Sequence, residues 1–127
     1  MRYLELVRVF KNSWFTRFAR KEGIADDELR AMVNQLEAGQ WDADLGGGVY
    51  KQRLARPGKG KSGGYRIILF FKSGDRTFFV YGFAKPVRAN IDDKELRRLK
   101  TLARINLGLP DRLLDEQIAS GQWLELP

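Results

Sequence analysis

Six of the nine basic residues between positions 51 and 85 stand at spacings suited to holding a phosphate: Lys51, Arg53, Lys59, Lys61, Arg66 and Lys85. Alternate residues of a strand share a face, so Lys51 and Arg53 point the same way from one strand and Arg66 stands across from them on the next. Lys59 and Lys61 hang from the connecting loop, and Lys85 follows the third strand. One concave, positively charged patch can hold all six. Such a patch could cleave RNA, since attack of a ribose 2′-hydroxyl on its phosphate needs a group to take the proton, a group to protonate the leaving oxygen, and cations around the crowded phosphorane. Crowded like charges lower a lysine pKa, so a neutral fraction of one lysine can act as base. The planar arginine fork binds two phosphate oxygens and stays protonated, and electrostatic stabilisation carries most of the rate. Arg56 and Arg88 add RNA-binding charge, and the rings of Tyr65 and Tyr81 offer stacking surfaces for bases, with packing in the sheet as the competing role. For every one of these residues, phosphate binding without chemistry is the alternative.

The absent residue types narrow the chemistry further. With no Cys and no His in 127 residues, there is no thiolate nucleophile, zinc finger, disulfide framework, Ser-His-Asp triad or histidine-pair nuclease. A metal would have to be held by carboxylates alone, and RNA cleavage by the cationic patch needs neither metal nor cofactor. The lack of Cys fits a reducing compartment. No signal peptide is legible in the first twenty residues, and the longest strongly apolar run, Ile67 to Phe71, is far short of the ~20 residues that cross a bilayer. The expectation is a cytoplasmic protein with no membrane partner.

The charge distribution supports a polyanion. The chain carries a net +7, yet the segment from Leu45 to Ile91 alone holds ten bases against one acid, Asp75, for +9, and the remainder sums to −2. Lysines on a strand edge can be there to block edge pairing, but one or two suffice for that. Concentrated positive charge repels itself and is usually retained for a polyanion, foremost a nucleic acid backbone.

The elements that must position these residues follow from periodicity. A first strand is expected over Glu5 to Phe10, then a helix from Asn12 or Ser13 to Lys21 with Trp14, Phe15, Phe18 and Ala19 as its apolar stripe and Gly23 as its stop. A second helix starts at Asp26 or Asp27, buries Leu29, Met32, Val33 and Leu36, and ends by Gly39. The Trp14, Phe15 and Met32 positions read as core, and Gln40 to Gly48 as loop. Strands are expected over Val49 to Ala55, Gly64 to Lys72 and Arg76 to Phe83, separated by the Gly-rich loop Arg56 to Gly63 and the turn Ser73-Gly74-Asp75. Asp92 or Asp93 caps a long helix ending at Gly108, whose basic face reads as solvated. A short helix, Asp111 to Ala119, and an apolar tail around Trp123 follow. The fold class is α+β: a small antiparallel sheet with two N-terminal helices and a C-terminal helix packed on one face. One domain spans 1–108, with 109–127 as its C-terminal helical extension, which either packs on the core or receives a partner.

Gly60-Lys61-Ser62 superficially suggests a nucleotide-binding loop. A Walker A motif needs a Gly five residues earlier, where Ala55 stands, and a helix afterwards, where a strand is expected; ATP hydrolysis is rejected.

The string Lys59-Gly60-Lys61-Ser62-Gly63-Gly64-Tyr65-Arg66-Ile67-Ile68, preceded by Lys51-Gln52-Arg53 and followed by Phe79-Val80-Tyr81-Gly82-Phe83-Ala84-Lys85, resembles the RelE superfamily of bacterial toxins, most of all its HigB-like branch. The resemblance runs from the second helix to the long C-terminal helix. It implies a RelE-like fold and a toxin of a type II toxin–antitoxin system: a metal-independent ribonuclease that enters the A site of the 70S ribosome, cuts mRNA there to inhibit translation, and is silenced by a cognate antitoxin protein. On this resemblance the basic pair before the loop falls on Lys51 and Arg53, the strand arginine on Arg66, the base after the last strand on Lys85, and the glycine-flanked lysines on Lys59 and Lys61. The chain departs from the best-known members in having no tyrosine after Tyr81. Two other classes stay open: a non-catalytic module that binds nucleic acid or a partner protein, and a basic structural domain of a phage or ribosome-associated complex. Cleavage of translated messages separates the first reading from both, and a small adjacent gene for an acidic or helix-turn-helix partner favours the toxin pair.

Overall fold

The structure, a computed structural model, describes residues 7–56, 58, 60–84 and 90–127, with the backbone alone at 61 and 62. Strand β1 (Arg8–Asn12) runs directly into helix α1 (Ser13–Glu22). The Asn12 side chain forces the change, because its Oδ1 accepts the Phe15 N–H at 2.7 Å and so caps the helix. Gly23, at φ 72°, ends it in the left-handed conformation. Helix α2 (Asp26–Glu37) begins with Asp26, Asp27 and Glu28 on the positive end of its dipole and buries Leu29, Met32, Val33 and Leu36. Strands β2 (Ala43–Gly46), β3 (Val49–Arg56), β4 (Gly60–Lys72) and β5 (Arg76–Ala84) follow. Helix α3 (Asp93–Leu107) is started by a capping box in which Asp92 accepts from the Glu95 N–H and Glu95 from the Asp92 N–H. Helix α4 (Asp111–Ala119) and strand β6 (Trp123–Glu125) close the chain.

The six strands form one sheet in the order β2-β3-β4-β5-β1-β6. Neighbours are antiparallel except β1 and β5, which run parallel. The sheet is therefore larger than the three-stranded meander expected. The segment 40–48 was expected to be loop but contains β2, since Asp44 and Tyr50 come into register across the tight turn at Gly47 and Gly48. The apolar tail contains β6, which pairs with β1 through Phe10↔Glu125 and Asn12↔Trp123. β1 itself lies at Arg8–Asn12, later than the alternation at the N-terminus suggested; residues 1–6 lie outside the described residues.

The sheet is covered on both faces rather than one. Against one face, Phe15 and Ala19 of α1 and Leu29, Val33 and Leu36 of α2 pack on Val9, Ile67, Leu69 and Phe79. Against the other, Ala103 of α3 and Leu114 of α4 pack on Phe10, Val49, Ile68, Phe70, Phe78 and Trp123. β4 is accordingly apolar on both sides, with Ile67, Ile68, Leu69 and Phe70 no more than 1% exposed. Arg76 ties the second layer down. It is 5% exposed, and its guanidinium donates to the carbonyls of Asn106 and Leu109 at 3.1 and 2.7 Å and to Asp111 at 2.8 Å, satisfying the end of α3.

Two irregularities decide which side chains share the α3 face. Pairing of β4 with β5 passes from Ile68↔Tyr81 to Leu69↔Phe79, so Val80 is an inserted residue and Tyr81 and Phe83 turn to the same side as Phe78. Pairing of β3 with β4 slips between Leu54 and Arg56, where a Cβ on Gly64 would stand 2.1 Å from the Leu54 carbonyl oxygen. Only glycine lets the two backbones close there.

Candidate nucleic-acid interface

On β3, Val49 belongs to the core beneath α3, and strand alternation carries Lys51 and Arg53 to that same face. On β4, Ile68 and Phe70 belong to it, and Arg66 follows them. In register, Arg53 stands directly opposite Arg66, which in turn faces Phe83; one step along, Lys51 faces Ile68, which faces Tyr81. Three of the cations expected to act together thus occupy adjacent positions on one sheet face. Like charges directly opposite one another weaken a strand pair, so sheet formation gives no reason for Arg53 and Arg66 to meet.

Asp42 offsets part of that repulsion. Its Oδ2 accepts the Arg53 backbone N–H at 2.7 Å and its Oδ1 accepts from the Arg53 guanidinium at 3.2 Å. The Arg53 side chain keeps 45% of its surface exposed while Asp42 keeps 25%, so the pair orients the arginine without hiding it. Asp42 is itself held by Gln52, a side chain only 2% exposed, whose Oε1 accepts the Asp42 N–H at 2.6 Å and whose Nε2 donates to the Gln40 carbonyl at 3.5 Å. Lys51 is steadied in the same manner by Asn90, whose Oδ1 accepts from Nζ at 3.1 Å. Sequence reading missed Asp42, Gln52 and Asn90. Alternation along Lys51-Gln52-Arg53 did carry a signal for Gln52, since it turns an amide inward where a partner must exist.

The other expected residues divide. Lys59, Lys85 and Arg88 lie outside the described residues, as does the side chain of Lys61, although its backbone belongs to β4 rather than to a loop. Tyr65 and Arg56, expected as RNA contacts, do not join the cationic strip. Tyr65 is 4% exposed, sits in the α1/α2 core against Phe18, and donates its hydroxyl to Glu22 at 2.8 Å. Burial, reinforced by that hydrogen bond to Glu22, pushes its phenol pKa upward. Arg56 lies over the Tyr65 ring, 5.3 Å from its centre, and so on the same opposite side of the sheet. Alternation is the reason: Tyr65 is one residue from Arg66 and must face the other way.

Tyr81 does sit on the cationic face, half-buried, and it has an aromatic neighbour that was expected in the core. β1 stops at Asn12, whose Nδ2 donates to the Val80 carbonyl at 3.1 Å, and the first turn of α1 fills the space beside the end of β5. Trp14 there lies 4.5 Å from Tyr81 and stacks on Phe18 at 5.2 Å between ring centres, yet is 37% exposed. A row of rings, Phe83, Tyr81 and Trp14, therefore runs beside the cations Arg66 and Lys51.

Fold and site together define a small α+β protein whose mixed sheet presents a cationic strip flanked by aromatic rings on the face of its C-terminal helices. The model of the RelE family, the RelE toxin of the RelE/RelB toxin–antitoxin system, matches residues 7–126. The chain belongs to the RelE toxin family, and its α+β sheet with four helices fits the RelE-like fold.

Proposed function

We propose that this toxin is a ribosome-dependent mRNA endonuclease acting in the cytoplasm, with the sheet face around Arg66 as its active site, and that a cognate antitoxin silences it. The observation that carries the proposal is the register Arg53↔Arg66 with Lys51 beside it, an arrangement unfavourable to the sheet and well suited to a phosphate. The 2′-oxygen attacks phosphorus as its proton passes to a base, the bond from phosphorus to the 5′-oxygen breaks, and that oxygen takes a proton from an acid. The products are a 2′,3′-cyclic phosphate and a free 5′-hydroxyl. Arg66 and Arg53 carry the charge of the phosphorane, and the acid and base come from Lys51, Lys59, Lys61 and Lys85. Trp14 and Tyr81 give the flanking bases apolar surfaces to stack on. No helix among the described residues is long and apolar enough to cross a membrane.

Expression of the unmutated chain is expected to arrest growth with cuts confined to translated messages, and Arg66→Ala to abolish both. Strong expression without growth arrest contradicts the proposal.

A further inference from the structure

A lysine carries its charge on a flexible four-carbon stem, and free rotation of that stem would scatter the charge over the strip. Lys51 is not left to rotate. Its Nζ donates to Asn90 Oδ1 at 3.1 Å, and the same oxygen accepts the Ile91 N–H at 2.9 Å. The second bond folds the Asn90 side chain onto the backbone beside it, a local turn to which Asn is suited. The segment is fixed in its own right, because Asp92 and Glu95 cap α3 immediately afterwards and Leu96 and Leu99 of that helix pack on the sheet. The oxygen that meets Lys51 is therefore placed by the start of α3 and not by the lysine.

The chemistry of this anchor differs from that of its neighbour. Arg53, two residues along β3, is held by the Asp42 carboxylate, which offsets part of its charge. Asn90 is an uncharged amide, and among the described residues no carboxylate pairs with Lys51. An ammonium has three N–H bonds, so Asn90 occupies one and leaves two. We propose that Asn90 is a positioning residue for the cleavage reaction, one that holds the Lys51 ammonium on the cationic strip without neutralising it. Lys51 then meets the message as a donor to the phosphate, and the base is another lysine. This rests on the nuclease reading of the sheet face. A residue whose only task was to turn the chain into α3 could equally be Asp, whose carboxylate accepts a backbone N–H as well as the Asn amide does. Beside Lys51, however, an aspartate would form an ion pair and repel the phosphate.

The test compares Asn90→Ala, Asn90→Asp and Lys51→Ala in the full chain, by single-turnover cleavage of a message on purified ribosomes, by urea midpoint, and by lysine-selective NMR of the ammonium protons. Asn90→Ala is expected to slow cleavage ~10-fold with little change in the ribosome concentration for half-maximal rate, and to add nothing in a Lys51→Ala background. Asn90→Asp is expected to keep the urea midpoint of the unmutated chain and yet cleave more slowly than Asn90→Ala. The Lys51 ammonium, slowed in exchange by its hydrogen bond, is expected to give a signal that both Lys51→Ala and Asn90→Ala remove. Cleavage by Asn90→Asp at the unmutated rate overturns the proposal and leaves Asn90 a turn residue. So does an equal loss from Asn90→Ala with and without Lys51, or an ammonium signal that Asn90→Ala leaves in place. An unmutated chain that cuts no message on ribosomes sinks the nuclease reading, and the ammonium signal then still decides whether Asn90 holds Lys51.

Discussion

The Asp42 carboxylate holds Arg53 at two points, accepting its backbone N–H at 2.7 Å and its guanidinium at 3.2 Å. The arginine directly opposite Arg66 is therefore aimed by a neighbouring carboxylate. Asp42→Ala is expected to lower the single-turnover cleavage rate about tenfold, the scale of one charge-assisted hydrogen bond, with a smaller change in the ribosome concentration needed for half-maximal rate. Faster cleavage by the variant would show that Asp42 restrains Arg53 rather than positions it.

Gln52 makes the pairing possible by fixing the backbone at Asp42 and Gln40 from inside the sheet. Leucine at this position would take away both the hydrogen bond to the Asp42 N–H and that to the Gln40 carbonyl. Gln52→Leu should cost about 2 kcal/mol, read as a lower urea midpoint with an unchanged slope. A midpoint equal to that of the unmutated chain would mean the segment 40–42 finds other partners.

Trp14 pairs a packing contact with an open face. If that face stacks a base, Trp14→Ala should weaken binding to ribosome-bound message by about 1–3 kcal/mol, and Trp14→Phe should recover much of the loss. Equal losses for Phe and Ala, matched by equal losses of thermal stability, would assign the ring to packing alone.

Tyr65 and Tyr50 predict the alkaline limit of stability. Burial raises both phenols above their ordinary value of 10.0, with Glu22 adding to the effect at Tyr65 and Asp44 at Tyr50. Each favours the neutral phenol in the folded chain, so the stability it contributes is fully present below pH 10 and is lost as pH rises through the folded value, because the unfolded chain ionises first. Denaturation midpoints should fall with pH above about 10, less steeply in Tyr65→Phe. An identical slope in that variant would show that Tyr65 titrates alike folded and unfolded.

Periodicity and caps made most of this fold legible before any coordinates. Asn12, Gly23 and Asp92 mark helix ends, and the doubly apolar β4 announces a central strand. Features that depend on distant partners were not legible. The alternation in Trp123-Leu124-Glu125 is too short to register until Phe10 and Asn12 supply hydrogen-bonding neighbours, and a second covered face needs two helices that only the sheet brings together. At the site, alternation along Lys51-Gln52-Arg53 and Arg66 did place three cations on one face. It could not find Asp42, whose partnership with Arg53 depends on β2 folding back on β3, nor separate Trp14 from the core, since helical spacing cannot say where β1 stops.

The most direct test is cleavage of a defined message on purified ribosomes, mapped to the nucleotide, for the unmutated chain and Arg66→Ala. The account predicts cuts within the A-site codon, ends bearing a 2′,3′-cyclic phosphate, no cutting of the same RNA off the ribosome, and at least ~100-fold slower cutting by Arg66→Ala. Cleavage undiminished by that substitution, or intact message on ribosomes saturated with the unmutated toxin, would contradict it.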